Sequence, residues 1–116
     1  MLARIFVRVR GFYCILLLQK IEGDQMRESA LERKLKTAVE SVGGEYLKFT
    51  SPGRRGVPDR ICLFKNARIA FVELKAPGGK LHPLQDKCKR VFENLGFQVW
   101  VIDSEIGIRD FVEGFR

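Results

Sequence analysis

The sequence predicts an α/β domain, with helices packed against a mixed β-sheet. Three observations carry this. Two stretches repeat apolar residues at helical spacing: Leu31, Leu35, Ala38, Val39 and Val42, then Leu84, Cys88, Val91, Phe92 and Leu95. Short runs rich in β-branched and aromatic residues lie between and after them. Glycine and proline punctuate the boundaries. The resulting order is helix, three strands, helix, strand, with residues 26–116 read as the folded domain.

Residues 1–25 read as an N-terminal extension. The apolar run Phe12–Leu18 follows Arg4, Arg8 and Arg10 and is too short to span a bilayer. No small-residue cleavage site follows it, so it resembles a signal peptide only loosely. Ile5, Val7 and Val9 alternate with Arg4, Phe6, Arg8 and Arg10 as in a strand. An extra hairpin folding at Gly11, an appended leader ahead of a natural start at Met26, and an interfacial segment are three readings that spacing does not separate.

From Met26 the first helix runs to Gly43-Gly44, which stops it. Glu45–Thr50 is a strand, followed by the Gly- and Pro-rich loop Ser51–Pro58. Arg60–Phe64 and Ile69–Lys75 form a hairpin about a turn at Lys65–Arg68. Ala76-Pro77-Gly78-Gly79 ends it. Pro83 suits the first turn of the second helix, and Gly96 ends that helix. Phe97–Ile102 is the last strand, with a short helix from about Ser104.

Composition narrows the function. There are 21 Lys+Arg against 14 Asp+Glu, a formal charge of +7. The excess is concentrated: Lys48 to Arg90 holds eleven basic residues and only three acidic ones, Asp59, Glu73 and Asp86. A solvated face would mix the signs more evenly, so a polyanionic partner is expected. Cys14, Cys62 and Cys88 are far apart, no Cys-x-x-Cys occurs, and His82 is the single histidine. A structural zinc site is therefore not expected. The cysteines read as small core residues in a reducing cytoplasm.

Two of those three acids are candidates for chemistry. Hydrolysis of a phosphodiester calls for a divalent cation held by carboxylates, near a positive group that steers water or the leaving oxygen. Asp59 leaves the loop and opens a strand. Glu73 and Lys75 are two apart on the neighbouring strand and share a face. If the strands pair as a hairpin, its open end gathers all three. Glu28 on the first helix falls about 40° from the centre of the apolar stripe and Glu32 about 75°. A third metal carboxylate at Glu28, and a first-turn acid complementing the helix dipole, are both open on spacing.

Gly56-Val57-Pro58-Asp59, Glu73-Leu74-Lys75 and Gln85 together resemble the VRR-NUC branch of the PD-(D/E)xK nucleases. Lys48–Gly53 and Pro83-Leu84-Gln85 fit the same pattern, over roughly residues 27–104. The resemblance implies a restriction-endonuclease-like core and DNA cleavage with Mg2+ or Mn2+. It implies that Asp59, Glu73 and the Leu74 carbonyl bind metal, that Lys75 orients water or stabilises charge, and that Gln85 belongs to the active site. It also favours Glu28 as a metal residue. Small stand-alone members, phage-borne among them, resemble Holliday junction resolvases and act as homodimers, so a structure-specific endonuclease on branched DNA is expected.

Plainer readings compete. Asp59 alone could be a turn residue, and Glu73 with Lys75 a surface pair. Against that, these charges interrupt Ile69, Ala70, Phe71, Val72 and Leu74, a run that otherwise reads as buried. Gln85 lies about 75° off its helix stripe, a boundary position. His82 reads as a local residue before a helix. Lys48, Arg54, Arg55, Arg60 and Lys80 are candidates for phosphate contact rather than merely solvated charges. Two rival functions remain: a restriction-type or repair nuclease on other DNA, and a non-catalytic nucleic-acid-binding module. No membrane association is expected of the domain itself.

Overall fold

The structure, a computed structural model, describes residues 28–116. The readings of the N-terminal extension as a hairpin at Gly11, a leader ahead of Met26 or an interfacial segment fall on residues that lie outside them. Helix α1 covers 28–41 of the described residues, and β1 (Glu45–Lys48), β2 (Arg60–Phe64) and β3 (Arg68–Leu74) follow. Helix α2 (Pro83–Asn94), β4 (Gln98–Ile102) and α3 (Glu105–Glu113) complete the chain. The expected order holds, with the third helix capped by Ser104, whose side chain accepts from the Gly107 N–H.

The four strands lie in sequence order, β1-β2-β3-β4. The first two pairings are antiparallel, and β4 joins β3 in parallel through the α2 crossover. The three-residue β2–β3 connection between paired Phe64 and Arg68 places Asn66 and Ala67 at φ 64° and 58°, left-handed backbone of the kind that turns a hairpin.

Strand alternation sorts the side chains onto two faces. Cys62, Phe64, Ala70, Val72, Leu74 and Ile102 face α1 and α3 and meet Leu31, Leu35, Val39, Ile108, Phe111 and Val112. This is the main core; Leu35 and Val39 are fully buried, and truncating such a leucine to alanine costs about 2–5 kcal/mol. The opposite face carries Phe71, packed edge-on against Phe92 of α2 at 4.8 Å and near Phe49 and Phe97. Glu73 shares that second face, which is why it meets α2.

Candidate active site

The β2–β3 register sets the site. Arg60 pairs with Val72, so one step further Asp59 stands across from Glu73. Their groups interlock. The Asp59 N–H donates to Glu73 Oε1 at 3.2 Å, and the Leu74 N–H donates to Asp59 Oδ2 at 3.0 Å. Within a strand, the N–H and C=O of one residue point the same way, so the Leu74 carbonyl also faces the Asp59 side. The next amide, Lys75 N–H, turns to β4 and donates to the Ile102 carbonyl at 3.0 Å.

Lys75 and Gln85 complete the cluster. Lys75 Nζ lies 3.6 Å from Glu73 Oε2 and donates to Gln85 Oε1 at 2.9 Å. Gln85 Nε2 donates to Glu73 Oε2, while its Oε1 also accepts from the His82 N–H at 2.9 Å. Gln85 thus links the N-terminus of α2 to both the acid and the base of the site. His82 acts locally, as the N-cap of α2.

Glu73 is only 3% exposed. Burial first, and then the nearby Asp59 carboxylate, push its carboxyl up from 4.5 to about 7, against the pull of Lys75. Against the two carboxylates of Asp59 and Glu73 the cluster sets one lysine, paired with Glu73, so it is short of positive charge.

The loop before Asp59 is fixed to α2. Gly56 has φ +86°, and a Cβ there would lie 2.4 Å from the Leu84 carbonyl oxygen. Both the conformation and the approach require glycine. Gly56, Pro58, Glu73, Leu81, Gln85, Lys89 and Val101 border a small crevice beside the acids.

The remaining sequence candidates divide. Lys48, Arg54, Arg55 and Lys80 are exposed, and among the described residues none forms an ion pair. Arg54 and Arg55 lie in the loop leading to Asp59, and Lys80 lies between Lys75 and α2. Arg60 departs from expectation. Its side chain is 12% exposed and bonded to Glu32 and Tyr46 on the α1 face, so its donors are spent internally rather than offered to phosphate. Glu28 is exposed, and among the described residues no three His, Cys, Asp or Glu side chains come close enough to hold an ion. Its wheel angle points coreward, but burial begins only at Leu31.

Sequence reasoning did not single out Lys89. It lies one turn after Gln85 on the same helix face, and that i, i+4 spacing was the available signal.

Two carboxylates and a lysine at the open end of a hairpin, joined by a glutamine from the next helix, define a nuclease of the PD-(D/E)xK class. The chain belongs to the VRR-NUC domain family, whose model matches residues 4–105. That match begins well upstream of the Met26 boundary expected from sequence. A solved structure of a VRR_NUC domain is similar at TM-score 0.73 and 27% identity, over 78% of this chain and 98% of that one. The protein "Putative nuclease p44" of Acyrthosiphon pisum secondary endosymbiont phage 1 is 48% identical over 80 residues, 69% of this chain and 86% of that protein. No helix among the described residues is long and apolar enough to cross a membrane.

Proposed function

We propose that this nuclease hydrolyses phosphodiester bonds in DNA with Mg2+ or Mn2+, acting as a homodimer on branched substrates such as four-way junctions. The observation that carries the catalytic reading is the interlocked cluster of Asp59, Glu73, Lys75 and Gln85. A divalent cation fits this donor set. Glu73 is buried against a second carboxylate that raises its pKa, and hard oxygen donors suit Mg2+. Asp59, Glu73 and the Leu74 carbonyl would hold the ion, which supplies charge neutralisation and a more acidic water when bound.

The chain's own groups do the rest. Lys75 holds an ammonium beside Glu73 and can donate to a water or to a phosphate oxygen. Gln85 fixes that ammonium through Oε1 and Glu73 through Nε2. The exposed Arg54, Arg55, Lys48 and Lys80 offer charges to the backbone of DNA. A two-fold dimer would present two sites to a two-fold junction. The phage relative supports a setting in the cytoplasm of a phage-infected bacterium.

The test is a panel of four-way junction, flap and linear duplex with Mg2+ or Mn2+, using wild type, Asp59→Ala and Lys75→Ala. The reading expects cleavage by wild type only, strongest on the junction. Cleavage surviving both substitutions would remove the site assignment, and equal cutting of all substrates would remove the junction preference.

A further inference from the structure

Asp59 and Arg60 are consecutive residues of one extended segment, so their side chains leave opposite faces of the sheet. Asp59 enters the cluster against α2. Arg60 goes behind it, toward α1. There its Nη2 lies 2.6 Å from Glu32 Oε2 of α1, and its Nε donates to the Tyr46 hydroxyl of β1 at 2.8 Å. The guanidinium carbon stands 5.3 Å from the centre of the Tyr46 ring. The remaining arm turns back, and Nη1 donates to the carbonyl of Asp59 at 3.3 Å. That same carbonyl accepts from the Phe49 N–H at 2.9 Å.

We propose that Glu32, Arg60 and Tyr46 are positioning residues that hold the main chain of Asp59 from the back of the sheet, making this polar clamp, apart from the apolar packing of α1, a determinant of metal binding and catalysis. The inference rests on the metal-dependent nuclease reading above.

The energetics favour a positional role. The Arg60 side chain is largely withdrawn from water at 12% exposure, while Glu32 keeps 46%; burying a guanidinium is expensive, and such a pair often stabilises no more than apolar residues of equal volume. Further along β2, the same face is filled with Cys62 and Phe64. The ion pair stands on a face otherwise given to apolar packing, at the residue next to Asp59 and across from Val72. Burial also pushes the Tyr46 phenol up to about 12, so it stays a neutral partner for Arg60 at working pH.

Glu32 contributes no atom to the cluster, yet it fixes how α1 sits on the strand that delivers Asp59. Groups that orient metal-binding residues typically govern metal affinity or activity by about 10–100-fold when removed.

The test compares Glu32→Ala, Glu32→Gln and Tyr46→Phe with Leu35→Val, which weakens the α1 core without touching the clamp. Three quantities are measured on each folded protein: Mn2+ affinity by calorimetry, kcat and KM on the cleaved DNA, and Tm. Glu32→Ala should lower Mn2+ affinity about tenfold and kcat about 10–100-fold, with KM for DNA unchanged. Glu32→Gln, which still accepts a hydrogen bond, should recover part of both. Tyr46→Phe removes a single hydroxyl and should lower Mn2+ affinity about threefold. Leu35→Val should lower Tm alone. If the clamp variants lower Tm like Leu35→Val while Mn2+ affinity and kcat hold, the cluster is merely structural and the proposal is overturned. If wild type cleaves no DNA yet Mn2+ binds and weakens with Glu32→Ala, the clamp stands and the nuclease reading falls instead.

Discussion

Two charged clusters are built back to back on the same strand ends, and they are finished differently. On the α2 face, the Asp59 N–H is bonded to Glu73, and Glu73 is paired with one ammonium, from Lys75. On the α1 face, Arg60 is matched by Glu32 and closed off by Tyr46. The second cluster is balanced, with its guanidinium donors occupied. The first is left one positive charge short, and its buried glutamate is pushed toward its neutral form. A fold can bury charges in pairs for architecture; an unbalanced buried acid beside another acid is the arrangement that a cation completes. The proposed chemistry sits on the unbalanced side.

Breaking that asymmetry should have graded effects. Asp59→Ala and Lys75→Ala remove an acid or the lysine from the unbalanced cluster. Each should lower the cleavage rate by roughly a thousandfold in single-turnover assays, with the circular dichroism spectrum kept. Gln85→Ala removes the amide that bridges Lys75 and Glu73 and should cost about 10–100-fold in kcat, with little change in KM. Arg54→Ala and Arg55→Ala leave both clusters whole. Each should weaken DNA binding several-fold and reduce the salt slope of log K by about 1, measured by fluorescence anisotropy across a salt series.

The smallest effect is thermal and needs no substrate. In the metal-free protein, Glu73 keeps its proton up to about pH 7, whereas the unfolded chain releases it near the ordinary value of 4.5. Below 4.5 both states hold the proton. As pH rises toward 7 the unfolded state sheds it first, so stability falls, and above 7 the loss is complete. Glu73→Gln should flatten this decline and raise the metal-free Tm at pH 8 by about 5 °C. A Tm profile identical to wild type would show that the asymmetry carries no energetic cost.

Much of this was legible in the sequence. The Lys65–Arg68 turn between two apolar runs specified the hairpin, and the hairpin alone brought Asp59 to Glu73. Gln85 was harder. It lies off the apolar stripe of α2, and only the family resemblance drew it into the site. It proves to sit where the helix edge meets the sheet end. Arg60, a candidate for phosphate contact, is sent by period-two alternation to the face away from Asp59, where it meets Glu32 and Tyr46. Glu28 and Glu32 show the limit of a helical wheel: it gives a direction, but not what lies beneath each turn. Glu28 points coreward and remains exposed, while Glu32 finds Arg60.

Asp59 is held by Phe49, the residue after β1, through its carbonyl, by Glu73 of β3 through its N–H and by the Leu74 amide through its carboxylate. None of these ties passes through residues 51–55. Gly53 stands in open space, with no atom within 4 Å of an added Cβ, and the fixed contact resumes only at Gly56. The loop can therefore be spliced. Doubling its length costs only about 0.6 kcal/mol in closure entropy, so a foreign recognition segment grafted between Pro52 and Arg54 would change which DNA is held while the cutting edge keeps its setting.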